Sequence, residues 1–80
     1  MNLFVVSGKV ISYGISQMKD WIEIQTNDGA ITVYLQDNGL DDLERSYDLQ
    51  NATIVATGYL LPQIDTDLVV AIAKSVEVLQ

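Results

Sequence analysis

The chain has 80 residues and a mass of 8.8 kDa; 49% of its residues are hydrophobic and 19% are charged. This composition predicts one globular domain over residues 1–80, because a disordered chain could not bury enough apolar surface to offset its ordering entropy. The absence of Cys and His excludes a disulfide framework, a zinc ribbon and a histidine general base. Four Lys and Arg against eleven Asp and Glu give a net charge of −7, which usually argues against a nucleic-acid partner.

Membrane insertion and secretion are not expected. Apolar runs such as residues 68–73 are too short to span a bilayer, and the N terminus lacks the basic region of a signal peptide. We therefore expect a cytoplasmic protein that makes no contact with a membrane.

The first predicted element is a β-strand over residues 5–13, where polarity alternates with a period of two. Counted at that period, Lys9 and Tyr13 fall on the outward face. Gly8 inside the strand indicates a bulge or a sharp bend, because glycine accepts that backbone geometry at low cost.

Residues 21–26 and 31–36 alternate more regularly and predict an antiparallel hairpin with one wet face. The turn between them, Asn27–Asp28–Gly29, consists of residues that accept positive φ. The outward side chains of this hairpin are predicted to be Trp21, Glu23, Gln25, Thr32, Tyr34 and Gln36.

Residues 37–50 break the alternation and predict a short helix that plugs one end of the sheet. Asp37 or Asn38 is predicted to cap it. The residues expected on its buried face, at helical spacing, are Leu40, Leu43 and Tyr47.

Residues 52–61 and 68–79 predict the fourth and fifth strands, joined by a polar loop over 62–67. Both strands are apolar on two faces, whereas a small barrel has a single interior, so one set of side chains must lie outside. We expect that set to form a protein interface, with a homo-oligomer as the favoured assembly. Its predicted residues are Val55, Tyr59, Leu61, Val69 and Ala71.

Five strands with one helix between the third and fourth is the element order of an OB-fold barrel. The sequence resembles the OB-fold nucleic-acid-binding family, of the anticodon-binding and single-strand-binding type. The matching stretches are VVSGKVI (5–11), WIEIQTNDG (21–29), ITVYL (31–35), ATIVATG (52–58) and VEVL (76–79). The resemblance implies an all-β, five-stranded barrel whose ligand crosses the outer face of strands 2 and 3, between loops 14–20 and 62–67.

Carried onto this chain, the resemblance implies a nucleic-acid site made of Lys9, Tyr13, Lys19, Trp21, Gln25, Thr32 and Tyr34. Trp21 and Tyr34 would stack bases and the two lysines would meet phosphates, as in single-strand binders. A plain cross-strand pair of outward rings explains the same pattern. Asp65 and Asp67 in the second loop would repel phosphate.

Acidic residues are concentrated after the third strand, in a patch of Asp37, Asp41, Asp42, Glu44 and Asp48. A solvated surface that maintains solubility is one interpretation. The alternative is that this chain is an adaptor or a nucleic-acid mimic that docks on a basic protein through this patch.

The sequence contains no candidate set of catalytic residues. Carboxylate pairs occur at residues 41–44 and 65–67, but both segments are predicted to be exposed, and acid–base work requires enclosure and unequal environments. We therefore expect a binding module that is not an enzyme and that has neither cofactor nor metal.

Overall fold

A computed structural model describes residues 2–16, 19–36, 39–62 and 69–79, with side chains except at 2, 62 and 69. The elements are β1 Asn2–Ser16, β2 Lys19–Thr26, β3 Gly29–Leu35, α1 Gly39–Ser46, β4 Thr53–Pro62 and β5 Val69–Leu79. The strands close into a barrel in the order β1-β2-β3-β5-β4; β3 and β5 are parallel and all other neighbours antiparallel. The predicted OB-fold barrel, with one helix between strands 3 and 4, is confirmed.

The first strand is longer than the sequence pattern predicted and takes part in two ladders. Its residues 2–9 pair with β4 and its residues 9–16 pair with β2. Gly8 lies where one ladder gives way to the other, and a Cβ atom there would overlap the carbonyl oxygen of Gln25. Glycine therefore permits the close crossing that closes the barrel, as the bend predicted at Gly8 requires.

A bulge in β1 corrects the predicted direction of Tyr13. The β1–β2 register shifts between Val10 and Ser12. The extra residue changes the inward–outward parity of everything that follows it in the strand. Tyr13 consequently lies opposite Ile22 and packs against the core, so its predicted outward position is wrong.

The parallel pairing of β3 with β5 corrects a second prediction. Ala71 lies opposite Val33 and Ala73 opposite Leu35, so both alanines face the barrel interior and are buried. The predicted placement of Ala71 in an exposed interface is therefore wrong. On β4 the predicted parity agrees with the structure, because the inward residue Ile54 is fully buried.

The helix closes one end of the barrel, with differences from the predicted residues. Leu40 is buried and Leu43 packs partly against the core. Tyr47, predicted on the buried face, is exposed; it follows the last residue of α1, and its N–H donates the last hydrogen bond of the helix, to the carbonyl of Leu43. Leu49, beyond the helix, is buried in its place. The predicted caps, residues 37 and 38, lie outside the described residues.

A side chain on β2 accepts a hydrogen bond from the N terminus of α1. The backbone N–H of Leu40 donates to Oδ2 of Asp20, on β2, at 3.0 Å. Asp20 is only 8% exposed, so this bond satisfies a buried carboxylate oxygen and one of the free N–H groups of the helix. Among the described residues, no helix has the length and hydropathy that a membrane span requires.

Candidate nucleic-acid interface

Four outward residues form a continuous row across the barrel, which we call the aromatic row. Trp21 on β2 lies opposite Tyr34 on β3, Tyr34 opposite Ile72 on β5, and Ile72 opposite Tyr59 on β4. Directly paired residues place their side chains on the same face of a sheet, about 4.5–5.5 Å apart at Cβ. The row therefore spans four adjacent strands on the outside of the barrel.

Trp21 owes its position to a glycine on the neighbouring strand. Gly14 lies directly opposite Trp21, and a Cβ atom at Gly14 would be 3.1 Å from Cζ2 of the indole. The indole therefore lies against bare backbone. Trp21 and Tyr34 are both half-buried, so each ring keeps part of its surface open to solvent.

Ile72 forms the floor of the row between two tyrosines. It is only 6% exposed, although it faces outward and lies outside the main core cluster. The Tyr59 side chain crosses over β5, since its hydroxyl accepts a hydrogen bond from Nε2 of Gln36 at 3.2 Å. Tyr34 and Tyr59 flank Ile72 in the ladders and account for its burial.

Polar side chains continue the outer face of β2 and β3 beyond the rings. Gln25 and Thr32 are exposed, as predicted. Glu23 lies between Trp21 and Gln25, and it accepts a hydrogen bond from the Ser12 hydroxyl at 2.8 Å. That bond engages one oxygen of the carboxylate nearest to the rings.

Two cations flank Trp21, Lys19 on β2 and Lys9 on β1. Lys19 precedes Trp21 by two residues on the same face, about 7 Å along the strand, and is exposed. Lys9 lies opposite Gln25, four residues beyond Trp21. The structure thus brings together all the predicted nucleic-acid residues on one outer face except Tyr13, which points into the barrel.

The sequence did not predict that β5 contributes to the outer face that carries the aromatic row. Ile72 joins the row and Lys74, exposed at the β4–β5 bulge, lies two residues beyond it. Their position depends on the parallel β3–β5 pairing, which joins residues almost 40 apart in the chain and leaves no local signal. Tyr59 was recognised as outward but assigned to a protein interface.

The remaining predicted surfaces are only partly described. Val55, Tyr59 and Leu61 lie on the outer face of β4, while the side chain of Val69 is outside the described residues. Of the predicted acidic patch, the structure describes four residues, all exposed on or just after α1: Asp41, Asp42, Glu44 and Asp48. Asp37 and the acidic loop with Asp65 and Asp67 lie outside the described residues. Within the described ranges, no group of three acidic side chains is placed to hold a metal ion.

No protein-family model matches the sequence, and neither does any curated protein. Solved structures share its fold. A chain of the S. pombe Stn1–Ten1 complex aligns over 100% of this chain with a TM-score of 0.75 and 15% identity; this chain spans 60% of that one. The S. cerevisiae mitochondrial single-stranded DNA-binding protein Rim1 aligns over 99% of this chain and 95% of its own, with a TM-score of 0.73 and 10% identity.

A third similar structure is the dimeric N-terminal domain of PriB from Thermoanaerobacter tencongensis. It has a TM-score of 0.55 and 14% identity, and the alignment covers 99% of this chain and 97% of that domain. Strand order, helix position and these neighbours agree, and the fold of this chain is therefore the OB-fold that the sequence resemblance implied.

Proposed function

We propose that this chain is a non-catalytic module that binds single-stranded nucleic acid by stacking bases on the aromatic row. The observation that carries the proposal is the direct pairing of Trp21 with Tyr34 on the outer face of the barrel. Both rings keep exposed surface, and every base has a π-face that such a ring accepts irrespective of sequence.

The energetics of this arrangement favour stacking over phosphate contacts. Each stacked base contributes about 1–3 kcal/mol, so Trp21 and Tyr34 together supply about 2–6 kcal/mol. Tyr59 adds a third ring on the far side of Ile72. Lys9 and Lys19 provide roughly two phosphate contacts, which predicts a shallow salt dependence: the slope of log K against log salt is about −1.4 for a single strand.

The structural neighbours support the same class of ligand. Rim1 is a single-stranded DNA-binding protein, and this chain matches almost its whole length. Base stacking does not require a cation, so negative charge near the rings, above all that of Glu23 beside Trp21, weakens phosphate contacts more than it weakens stacking. Charges further away than about 8 Å are largely screened at physiological ionic strength.

The test is a titration of a fluorescently labelled oligopyrimidine strand, followed by anisotropy and by quenching of Trp21. Tyr34→Ala is expected to weaken binding about 5- to 150-fold, which corresponds to the stacking energy of one base. Tyr47→Ala is the matched control, because it removes an exposed tyrosine outside the row. Wild-type affinity in both Tyr34→Ala and Trp21→Ala would contradict the proposal.

A second candidate function, protein–protein interaction including self-association, is favoured by the outer face of β4. Leu61 is 46% exposed on this face, and Leu3 and Val5 on the neighbouring β1 are 76% and 71% exposed. Large apolar side chains exposed side by side on a small protein mark interaction surfaces.

A further inference from the structure

An uncharged patch on β1 and β4 borders the aromatic row at Tyr59, which lies directly opposite Leu3. We call it the β1–β4 face and define it by Leu3, Val5 and Ser7 of β1 with Val55, Thr57 and Leu61 of β4. Leu3 is 76% exposed and Val5 is 71% exposed, although both belong to a strand that is paired with β4. Contiguous apolar exposure of this kind is costly in water and indicates a surface that a partner covers.

The charge distribution indicates what covers this face. None of its six residues carries a formal charge, in a chain whose net charge is −7. Two copies of so acidic a chain repel each other through any surface that carries the acidic residues, and least through a neutral one. Glu77, opposite Val55 on β5, places one carboxylate at the edge of the face, but the six residues themselves offer a basic partner none. The face therefore fits a second copy better than a basic protein.

We propose that a second copy of this chain packs on the β1–β4 face, in a two-fold interface that uses the same six residues on both copies. The proposal rests on the protein-interaction function proposed above and names its occupant. Trp21 and Tyr34 lie outside the face, on β2 and β3, whereas Tyr59 lies at the border between the face and the aromatic row.

Sedimentation velocity over a range of protein concentrations, without nucleic acid, tests this assignment. The wild-type chain is expected to sediment as a species of about twice 8.8 kDa. The double variant Leu3→Thr, Val5→Thr keeps strand propensity but removes apolar surface, and should weaken self-association more than about tenfold. Ile15→Thr is the matched control, since Ile15 is also 71% exposed on β1 but lies beyond the β4 ladder.

Three results would overturn the proposal. They are a monomer at all concentrations, equal loss of the dimer in Ile15→Thr, and dissociation of the dimer by added salt. Screening lowers the repulsion between two acidic copies, so salt should preserve or tighten the dimer, whereas it weakens strand binding. A monomer that binds strands would overturn only the second-copy proposal, and a dimer that binds none would contradict only the nucleic-acid function.

Discussion

Trp21 and Gly14 lie directly opposite each other on β2 and β1, and the indole occupies the space that any side chain at position 14 would need. A strand-pair partner without a side chain lets the ring lie close to the backbone. The orientation of the proposed first stacking ring is therefore set by a residue that cannot itself contact a base through a side chain.

Replacement of Gly14 tests this relationship. In Gly14→Ala the new methyl group would lie 3.1 Å from the indole, so the ring must shift by a few tenths of an ångström. We expect altered Trp21 emission and strand affinity weakened several-fold, with a change in stability below about 1 kcal/mol. Ser16→Ala, on the same face of β1, should leave emission and affinity unchanged; an identical effect at both positions would refute the contact.

Tyr59 should contribute to stability mainly as a cover for Ile72. Tyr59→Phe loses only the exposed hydrogen bond with Gln36, at a cost of about 0.5–1 kcal/mol. Tyr59→Ala uncovers Ile72 and should cost about 2 kcal/mol. Urea unfolding followed by Trp21 fluorescence measures both variants. Equal losses in the two would show that the hydroxyl, and not the ring, is what matters.

Asp20 should anchor the helix to the sheet. Asp20→Ala leaves the N–H of Leu40 without its acceptor in a buried position, which should cost about 1–2 kcal/mol and reduce helical signal in circular dichroism. Asp20→Asn keeps an acceptor oxygen and should cost less. Glu44→Ala, an exposed helix position, serves as control with an expected change within about 0.5 kcal/mol. An Asp20→Ala variant with the stability of the wild type would contradict the anchoring role.

Gly58 should tolerate no side chain. A Cβ atom there would overlap the backbone carbonyl oxygen of Ile72 at the β4–β5 bulge, and neither strand can move without breaking the ladder. Gly58→Ala should therefore cost more than about 3 kcal/mol, a large part of the stability of a domain this size. Thermal melting measures the loss. Ser75→Ala, exposed on the same bulge, should melt close to wild type.

Lys19 should account for about half of the salt dependence of strand binding. With roughly two phosphate contacts, the slope of log K against log salt is about −1.4, and Lys19→Ala should reduce it to about −0.7. Arg45→Ala, which removes an exposed cation from α1, should leave the slope unchanged. An unaltered slope in Lys19→Ala would place the phosphates elsewhere.

The sequence was sufficient to predict the strands, the hairpin and the OB-fold, because a polarity period of two and a turn sequence are local signals. It also placed Trp21 and Tyr34 together, since a short hairpin determines its own register. It was wrong about Tyr13 because a bulge is not visible in the alternation on either side of it. The acceptor at Asp20 was missed because its donor lies 20 residues away.

What the sequence by itself determined is therefore the element order, the fold class and the outward rings of β2 and β3. The tertiary structure alone decided which side of β5 is inside. Val33 and Leu35 lie opposite Ala71 and Ala73 across the parallel pair, and this pairing turns Ile72 outward to join Tyr34 and Tyr59. Both parities of β5 are apolar, so alternation cannot distinguish them. Which side of β5 faces the interior depends on how well its side chains fill the space left by the other strands. That space forms only when segments distant in the chain have come together in the closed barrel.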